Sequence, residues 1–373
     1  MLQQISELIC FHFEHPSFST MSFTGPIFIC GTSRSGTSLL QSALEKNARV
    51  SIAGETHYFD DMRVALGAVG IKSPLDDARR ERIEDYFLGL SHRPFGHEGD
   101  PNQGWMQRES LRSHAELLGG GADEYFEAFC REWGARTNAT VWGEKTPRHV
   151  FRLTEMLTRF PDAKVLFMLR DPRAVVASYR DWKNQGGFDF TNDPGHAETL
   201  AADHSRARRS YHPVTISLLW VAAAQAASQA LDRFGPSRVR LQRYESLCDQ
   251  PESELGEVFD WLGLERPEGM TNVPVRNSSY EQYAEVGGFV RGAMDRWHKT
   301  MLPQEIAVVE RCCGAALGRM GYESASPRAS FLSTAPYYAS ALPALVRAAI
   351  INAKRSGNMT AYITRRARLL LGQ

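Results

Sequence analysis

The stretch Pro26-Ile27-Phe28-Ile29-Cys30-Gly31-Thr32-Ser33-Arg34-Ser35-Gly36-Thr37-Ser38-Leu39-Leu40 decides how the rest of the chain is read. Residues 27–30 form a short apolar run with the length and composition of a buried strand. A Gly/Ser/Thr loop follows, and residues 38–46 read as a helix. Strand, glycine loop and helix together make a phosphate cradle, because backbone N–H groups and the positive helix end converge on one anion. The spacing nearly matches the nucleotide-loop pattern G-x-x-x-x-G-K-[ST], with Gly31 and Gly36 in register. Thr37, however, stands where the lysine would be, and Arg34 is the only cation in the loop. A magnesium–ATP site wants that lysine on the β/γ-phosphates, so the loop points to a phosphorylated donor other than ATP.

Composition narrows the classes. The 373 residues carry 43 Lys+Arg and 43 Asp+Glu, a net charge of zero, so no bulk attraction to nucleic acid is expected. A hydrophobic content of 43% and a charged content of 23% are ordinary for a globular protein. Cys10, Cys30, Cys130, Cys248, Cys312 and Cys313 show no C-x-x-C spacing and read as free thiols in a reducing compartment. Residues 1–24 hold Glu7, His12, Glu14 and His15 and no basic start, unlike a secretory signal. No run approaches the ~20 apolar residues that span a bilayer. The expected location is cytoplasmic.

Further along, residues 50–53 read as a second strand, ending at Gly54-Glu55-Thr56-His57. Residues 58–140 are polar and helical in pattern, an insertion expected to shape a substrate site rather than the fold. Residues 141–147 read as a strand end and helix start, with Pro147 suited to a first helical turn. A helix is expected over 148–160, then a strand over 163–169, whose continuous apolar run suits a parallel sheet buried on both faces. A turn at Arg170-Asp171-Pro172 leads to a helix over 173–182. Residues 186–213 lack periodicity and read as a mobile loop. An Ala-rich helix (214–234), a strand (239–242), a turn at Tyr244-Glu245, a helix (252–262), a second loop (277–299) and a helix (303–320) complete the order.

The implied fold is α/β: a three-layer αβα arrangement of the P-loop type with a mostly parallel central sheet, its site at the carboxyl ends of the strands. The division is an N-terminal extension (1–25), a main domain (26–325) and an amphipathic, basic helical tail (326–373). In that tail Leu342, Leu345, Val346, Ile350 and Ile351 share a face, followed by Lys354, Arg355, Arg365, Arg366 and Arg368. A pair of helices is expected there, packing on the body, on a second copy or on a membrane surface.

Three elements point to one family. They are the loop at 32–39, the run Leu169-Arg170-Asp171-Pro172-Arg173-Ala174-Val175-Val176-Ala177-Ser178-Tyr179, and Arg243-Tyr244-Glu245-Ser246-Leu247. In this order they resemble the sulfotransferase family, across residues 27–322. The resemblance implies sulfuryl transfer from 3′-phosphoadenosine 5′-phosphosulfate (PAPS). On it, Arg34, Ser35, Gly36, Thr37, Ser38 and Leu39 hold the 5′-phosphosulfate. Arg170 and Ser178, eight residues apart, close on the 3′-phosphate, where arginine's planar fork gives paired charge-assisted bonds.

Locally the chain is similar to tyrosylprotein sulfotransferases, whose Pro-Arg-Ser-Gly-Thr-Thr loop matches 33–38 with Ser33 in place of proline. They carry a catalytic glutamate 21 residues beyond the loop arginine, which lands on Glu55. Their leaving-group lysine corresponds to Lys145, and their nucleotide-binding tyrosine to Tyr244. A serine and a basic residue before tryptophan correspond to Ser278 or Ser279 and to Arg296. His57 replaces their substrate-reading arginine, and their disulfides and membrane anchor are not evident. A protein-tyrosine acceptor is therefore not implied.

The expected mechanism is in-line displacement without a metal. Glu55 takes the acceptor proton, and Arg34 and Lys145 stabilise charge on the sulfuryl group and the departing phosphate. His57 is the rival base, since imidazole titrates nearer neutral pH; the offset favours Glu55. The acceptor is expected to be a carbohydrate, a lipid-linked or another small molecule bearing a hydroxyl or amine. Blander readings exist for each residue: an ion pair of Arg170 with Asp171 or Glu144, a helix cap for Glu55, a solvated Lys145, a core Tyr244. Two other functions compete. A small-molecule kinase is disfavoured by the missing loop lysine, and a non-catalytic nucleotide-binding protein by the occupied base positions.

Overall fold

The computed structural model describes residues 23–67, 74–93, 99–185, 201, 204–275, 278–280 and 288–356, with the side chains at 349 and 352–356 excepted. Five strands form its sheet: β1 Ile27–Gly31, β2 Val50–Ala53, β3 Val141–Lys145, β4 Lys164–Leu169 and β5 Val239–Arg243. Their order is β2-β3-β1-β4-β5, and every pairing is parallel. The chain leaves β1 for β2, returns to β3, and crosses to β4 on the other side of β1. That reversal opens a crevice at the carboxyl end of β1.

β1 is central because it is buried on both faces. Phe28 and Cys30 belong to one hydrophobic core, Ile27 and Ile29 to a second. β4 repeats the alternation, with Val165, Phe167 and Leu169 on the first side and Leu166 and Met168 on the other. A period of two that is apolar at both phases needs helices on both faces, and this makes the three layers. On the second face lie α1 (Thr37–Leu44), α9 (Tyr244–Asp249) and α10 (Pro251–Leu262), through Leu40, Leu247 and Phe259.

The first face carries α2 (Met62–Leu66), α3 (Asp77–His92), α4 (Arg108–Leu118) and α5 (Ala122–Ala135). A 3-10 turn (Pro147–Arg152), α6 (Leu153–Arg159), α7 (Pro172–Gln185) and α8 (Pro213–Phe234) complete that layer. The expectation that residues 58–140 do not shape the fold is corrected. Tyr58, Phe59, Phe87, Phe126 and Phe129 are at most 1% exposed. Tyr58 and Phe126 stack at 4.9 Å, and Phe28 of β1 meets Phe126 at 6.3 Å. Each such ring contributes roughly 1.5–3 kcal/mol by burial, so this segment supplies part of the packing on the sheet's first face.

α8 is the Ala-rich helix expected over 214–234, but its length runs against the expectation that no stretch approaches a membrane span. Among the described residues it is one helix long and apolar enough to cross a membrane by length and composition. Ten of its residues, half of them alanines, are buried against the protein, and Trp220 donates its indole N–H to the Arg170 carbonyl at 2.8 Å.

Other differences are local. Tyr244 opens helix α9 instead of a turn. The expected loop at 186–213 is helical over 204–210, and residues 186–200 lie outside the described residues. The expected loop at 277–299 holds a 3-10 turn (Arg291–Ala293) and the start of α11 (Arg296–Thr300), with 277 and 281–287 undescribed. Gly314, at φ 49°, splits the expected helix over 303–320 into α12 (Pro303–Cys313) and α13 (Ala315–Arg319). Among the described residues the tail holds one helix, α14 (Phe331–Ser356), and residues 357–373, where the expectation of a second helix falls, lie outside them.

Candidate active site

The loop after β1 is built on left-handed backbone: Gly31 has φ 153°, Arg34 φ 71° and Gly36 φ 94°. A Cβ at Gly31 would lie 2.6 Å from the Met168 carbonyl oxygen, so β4 passes too close for any side chain. Gly36 is the N-cap of α1, and no side chain caps that helix. The first-turn N–H groups of a helix lack intrahelical partners, which leaves those of α1 for an anion. Ser35 is fully buried and its hydroxyl bonds that of Thr32. Thr37 is buried, while Ser38 and Leu39 are partly exposed.

A Cβ at Gly36 would stand 2.6 Å from the Tyr244 ring. Gly36→Ala is therefore expected to cost about 1–2 kcal/mol for the left-handed backbone alone. It should weaken nucleotide binding further by displacing Tyr244. Thermal melts and nucleotide titration check both, and an unchanged melting temperature would contradict the strain.

Two clusters flank this loop. On the β4 side, Arg34 donates from Nε to Ser178 Oγ (3.2 Å) and from Nη2 to Ser279 Oγ (2.7 Å). The two serine hydroxyls are 3.1 Å apart. Burial pushes the Arg34 guanidinium down to about 10, which leaves it charged at neutral pH. Arg170, at the end of β4, donates to the carbonyls of Arg34 (2.8 Å) and Ala293 (2.9 Å), and its Cζ lies 4.1 Å from the centre of the Tyr244 ring. Its Nε has no hydrogen-bond partner among the described residues. Asp171 pairs with Arg173 at 2.7 Å instead, so the expected alternative of an Arg170–Asp171 pair is not formed.

On the β3 side, Lys145 is fully buried and donates to Glu55 Oε1 at 2.8 Å. Glu55 Oε2 lies 3.4 Å from His57 Nε2. Lys145 is therefore not a solvated surface lysine. Glu55 faces Lys145 and His57 and does not cap a helix. β1 brings the clusters to one end of the sheet, since Ile29 is in register with Lys145 and Gly31 with Met168.

The structure brings Arg34, Ser178, Ser279, Arg170 and Tyr244 together, and separately Glu55, Lys145 and His57. It gives Ser178 a contact to Arg34, where the sequence reading paired it with Arg170. Ser278 turns away, bonding only the Tyr280 backbone. Arg296 stacks over the Tyr280 ring at 3.9 Å, and Tyr280 donates to Asp181 at 2.8 Å.

Sequence reasoning missed the support beneath the β3-side cluster. Glu144, 1% exposed, accepts from Thr56 N (3.0 Å), Thr56 Oγ1 (2.9 Å) and Thr146 Oγ1, and lies 3.0 Å from His149 Nδ1. It thus ties the Glu55–His57 turn to β3. Burial raises its pKa, but His149 and the three donors outweigh burial and hold the carboxyl below its ordinary 4.5. A depressed carboxylate contributes stability above about pH 4.5 and loses it as pH falls through the lower folded value. Glu144→Gln should cost about 1.5–3 kcal/mol at neutral pH and flatten the acid limb of a melting-temperature profile. An unaltered profile would contradict this.

A parallel α/β sheet with an uncapped glycine loop at its switch point, flanked by buried cations and a reachable carboxylate, has the chemistry to take an anion. The chain matches the profile described as Sulfotransferase family over residues 26–268, and it belongs to that family. Nodulation protein NoeE of Sinorhizobium fredii (strain NBRC 101917 / NGR234) is 23% identical over 308 residues, covering 79% of this chain and 65% of the relative. The chain thus spans just under two thirds of the length of that curated relative.

Among solved structures, the sulfotransferase domain from the curacin biosynthetic pathway is 16% identical with a TM-score of 0.48, covering 81% of this chain and 99% of that one. The sulfotransferase domain of the Synechococcus PCC 7002 olefin synthase is 17% identical with a TM-score of 0.43, covering 79% and 96%. The comparisons lend no support to a small-molecule kinase or a non-catalytic protein.

Proposed function

We propose that this chain moves a sulfuryl group from PAPS to a hydroxyl or amine of a carbohydrate, lipid-linked or other small acceptor. The observation that carries the reading is the pairing of two clusters across one glycine loop: Arg34 with Ser178 and Ser279 on one side, Glu55 on buried Lys145 on the other.

The loop amides hold the 5′-phosphosulfate, and Arg170, Ser178, Ser279 and Arg34 take the 3′-phosphate. Glu55 accepts the acceptor proton as the acceptor oxygen or nitrogen bonds to sulfur. The bond from sulfur to the 5′-phosphate oxygen breaks, and Lys145 meets the charge that remains on that oxygen. Exposure favours Glu55 over His57 as base: the Glu55 side chain is 26% accessible and that of His57 8%. Arg34 reaches the serines, a geometry that favours nucleotide binding over direct contact with the transferring group. Cys30, Cys130, Cys248, Cys312 and Cys313 are free, which supports a reducing, cytoplasmic setting.

The test is transfer of labelled sulfate from PAPS, in chelator, to a panel of oligosaccharides, glycolipids and small alcohols. Labelled product is expected from at least one class. Magnesium-dependent transfer of the ATP γ-phosphate instead would overturn the reading.

A further inference from the structure

α14 leaves a long apolar face uncovered. Its inner side packs on the body: Thr334 and Ala344 are buried, Arg311 donates to Thr334 Oγ1 (3.0 Å), and His212 meets Ser340 Oγ (3.1 Å). Its outer side carries Phe331 (73% exposed), Leu342 (68%), Val346 (51%) and Ile350 (59%). Tyr338, Leu342, Val346 and Ile350 are spaced four apart, so they form one stripe. Monomeric proteins rarely leave so continuous an apolar surface in water without a use for it.

The sequence of this segment carries charge of one sign. Residues 331–373 contain Arg347, Lys354, Arg355, Arg365, Arg366 and Arg368 and no aspartate or glutamate, although the chain as a whole is neutral. Arg347 donates to the Arg209 carbonyl at 2.9 Å, and both residues line an open cleft with Leu342, Val346 and Ile350. Arg208 and Arg209 are exposed beside it. A second copy docking symmetrically on this face would set arginine against arginine with no acid between them. An anionic bilayer meets both demands: acyl chains for the stripe and headgroup phosphates for the arginines.

We propose that α14 is an interfacial helix that seats the protein on an anionic lipid surface, with Leu342, Val346 and Ile350 in the acyl layer and Arg208, Arg209 and Arg347 on the headgroups. The proposal does not rest on the acceptor class suggested above. α7, which carries Ser178, packs on the same α8 and α12 that support α14, so the docked face and the site share their supporting helices.

The experiment is co-sedimentation of the full chain with vesicles of phosphatidylcholine alone and of phosphatidylcholine with phosphatidylglycerol. Binding to the anionic vesicles is expected, weakened by high salt. Leu342→Glu with Val346→Glu should weaken it at least about tenfold. Arg208→Glu with Arg209→Glu should abolish the preference for phosphatidylglycerol. All four side chains are exposed, and melting temperatures of the variants should match the parent. Failure to sediment with either vesicle would overturn the proposal, as would sedimentation unaffected by both variants. A dimer seen by light scattering and dissolved by Leu342→Glu would assign the face to a second copy instead.

Discussion

Glu55→Gln is expected to lower sulfuryl transfer by about 10²- to 10⁴-fold while leaving affinity for the 3′-phosphorylated nucleotide nearly unchanged. The substitution keeps the shape and one acceptor atom for the buried Lys145 ammonium, now 2.8 Å from the carboxylate. It removes the capacity to take a proton. Glu55 belongs to the turn that Glu144 anchors through Thr56, so the side chain is held in place whether or not it is ionised. Single-turnover transfer and nucleotide titration on the same variant separate the two effects. Unchanged turnover would move the base to His57, whose Nε2 lies 3.4 Å from the same carboxylate.

Arg170→Ala carries the second large effect, on binding rather than chemistry. Removing a partner of a buried, charge-assisted pair costs about 2–5 kcal/mol, a loss of about 30-fold to several-thousand-fold for a nucleotide that carries a 3′-phosphate. Arg170 also braces the loop through the Arg34 carbonyl and stacks on Tyr244, so some loss is expected for any nucleotide. The assignment therefore stands on the ratio. 3′-Phosphoadenosine 5′-phosphate should lose far more affinity than ADP, and equal losses would remove Arg170 from the 3′-phosphate site.

Much of this frame is legible in the sequence because it rests on local patterns. Ile27 to Cys30 are apolar at both strand phases, and Gly31 and Gly36 stand where the backbone must turn left-handed. The β4 run into Arg170 and the helix bearing Ser178 follow the same logic. The rest depends on contacts that no spacing encodes. In α3 the buried Ile83, Phe87 and Leu88 sit among charged residues, so a core helix reads as a polar insertion. Glu144 is considered in the sequence only as a partner for Arg170, yet it is His149 and two threonines, brought together by β2, β3 and the turn after them, that hold it. Ser178 likewise meets Ser279 across 101 residues, and only the fold shows that Arg34 bridges them. Between Ser278 and Ser279 the sequence offers no choice; in the fold Ser279 is the one that is buried and that Arg34 contacts.

A glycine loop backed by Arg34 and Arg170 suits a nucleotide with phosphates at both the 5′ and 3′ positions. Calorimetric titration with 3′-phosphoadenosine 5′-phosphate, against ADP and magnesium–ATP, decides whether the protein prefers one. Metal-free binding that prefers the 3′-phosphorylated nucleotide at least about tenfold is the predicted result, as expected for one additional phosphate held by arginine. Equal binding of ADP, or a preference for magnesium–ATP, would contradict the account.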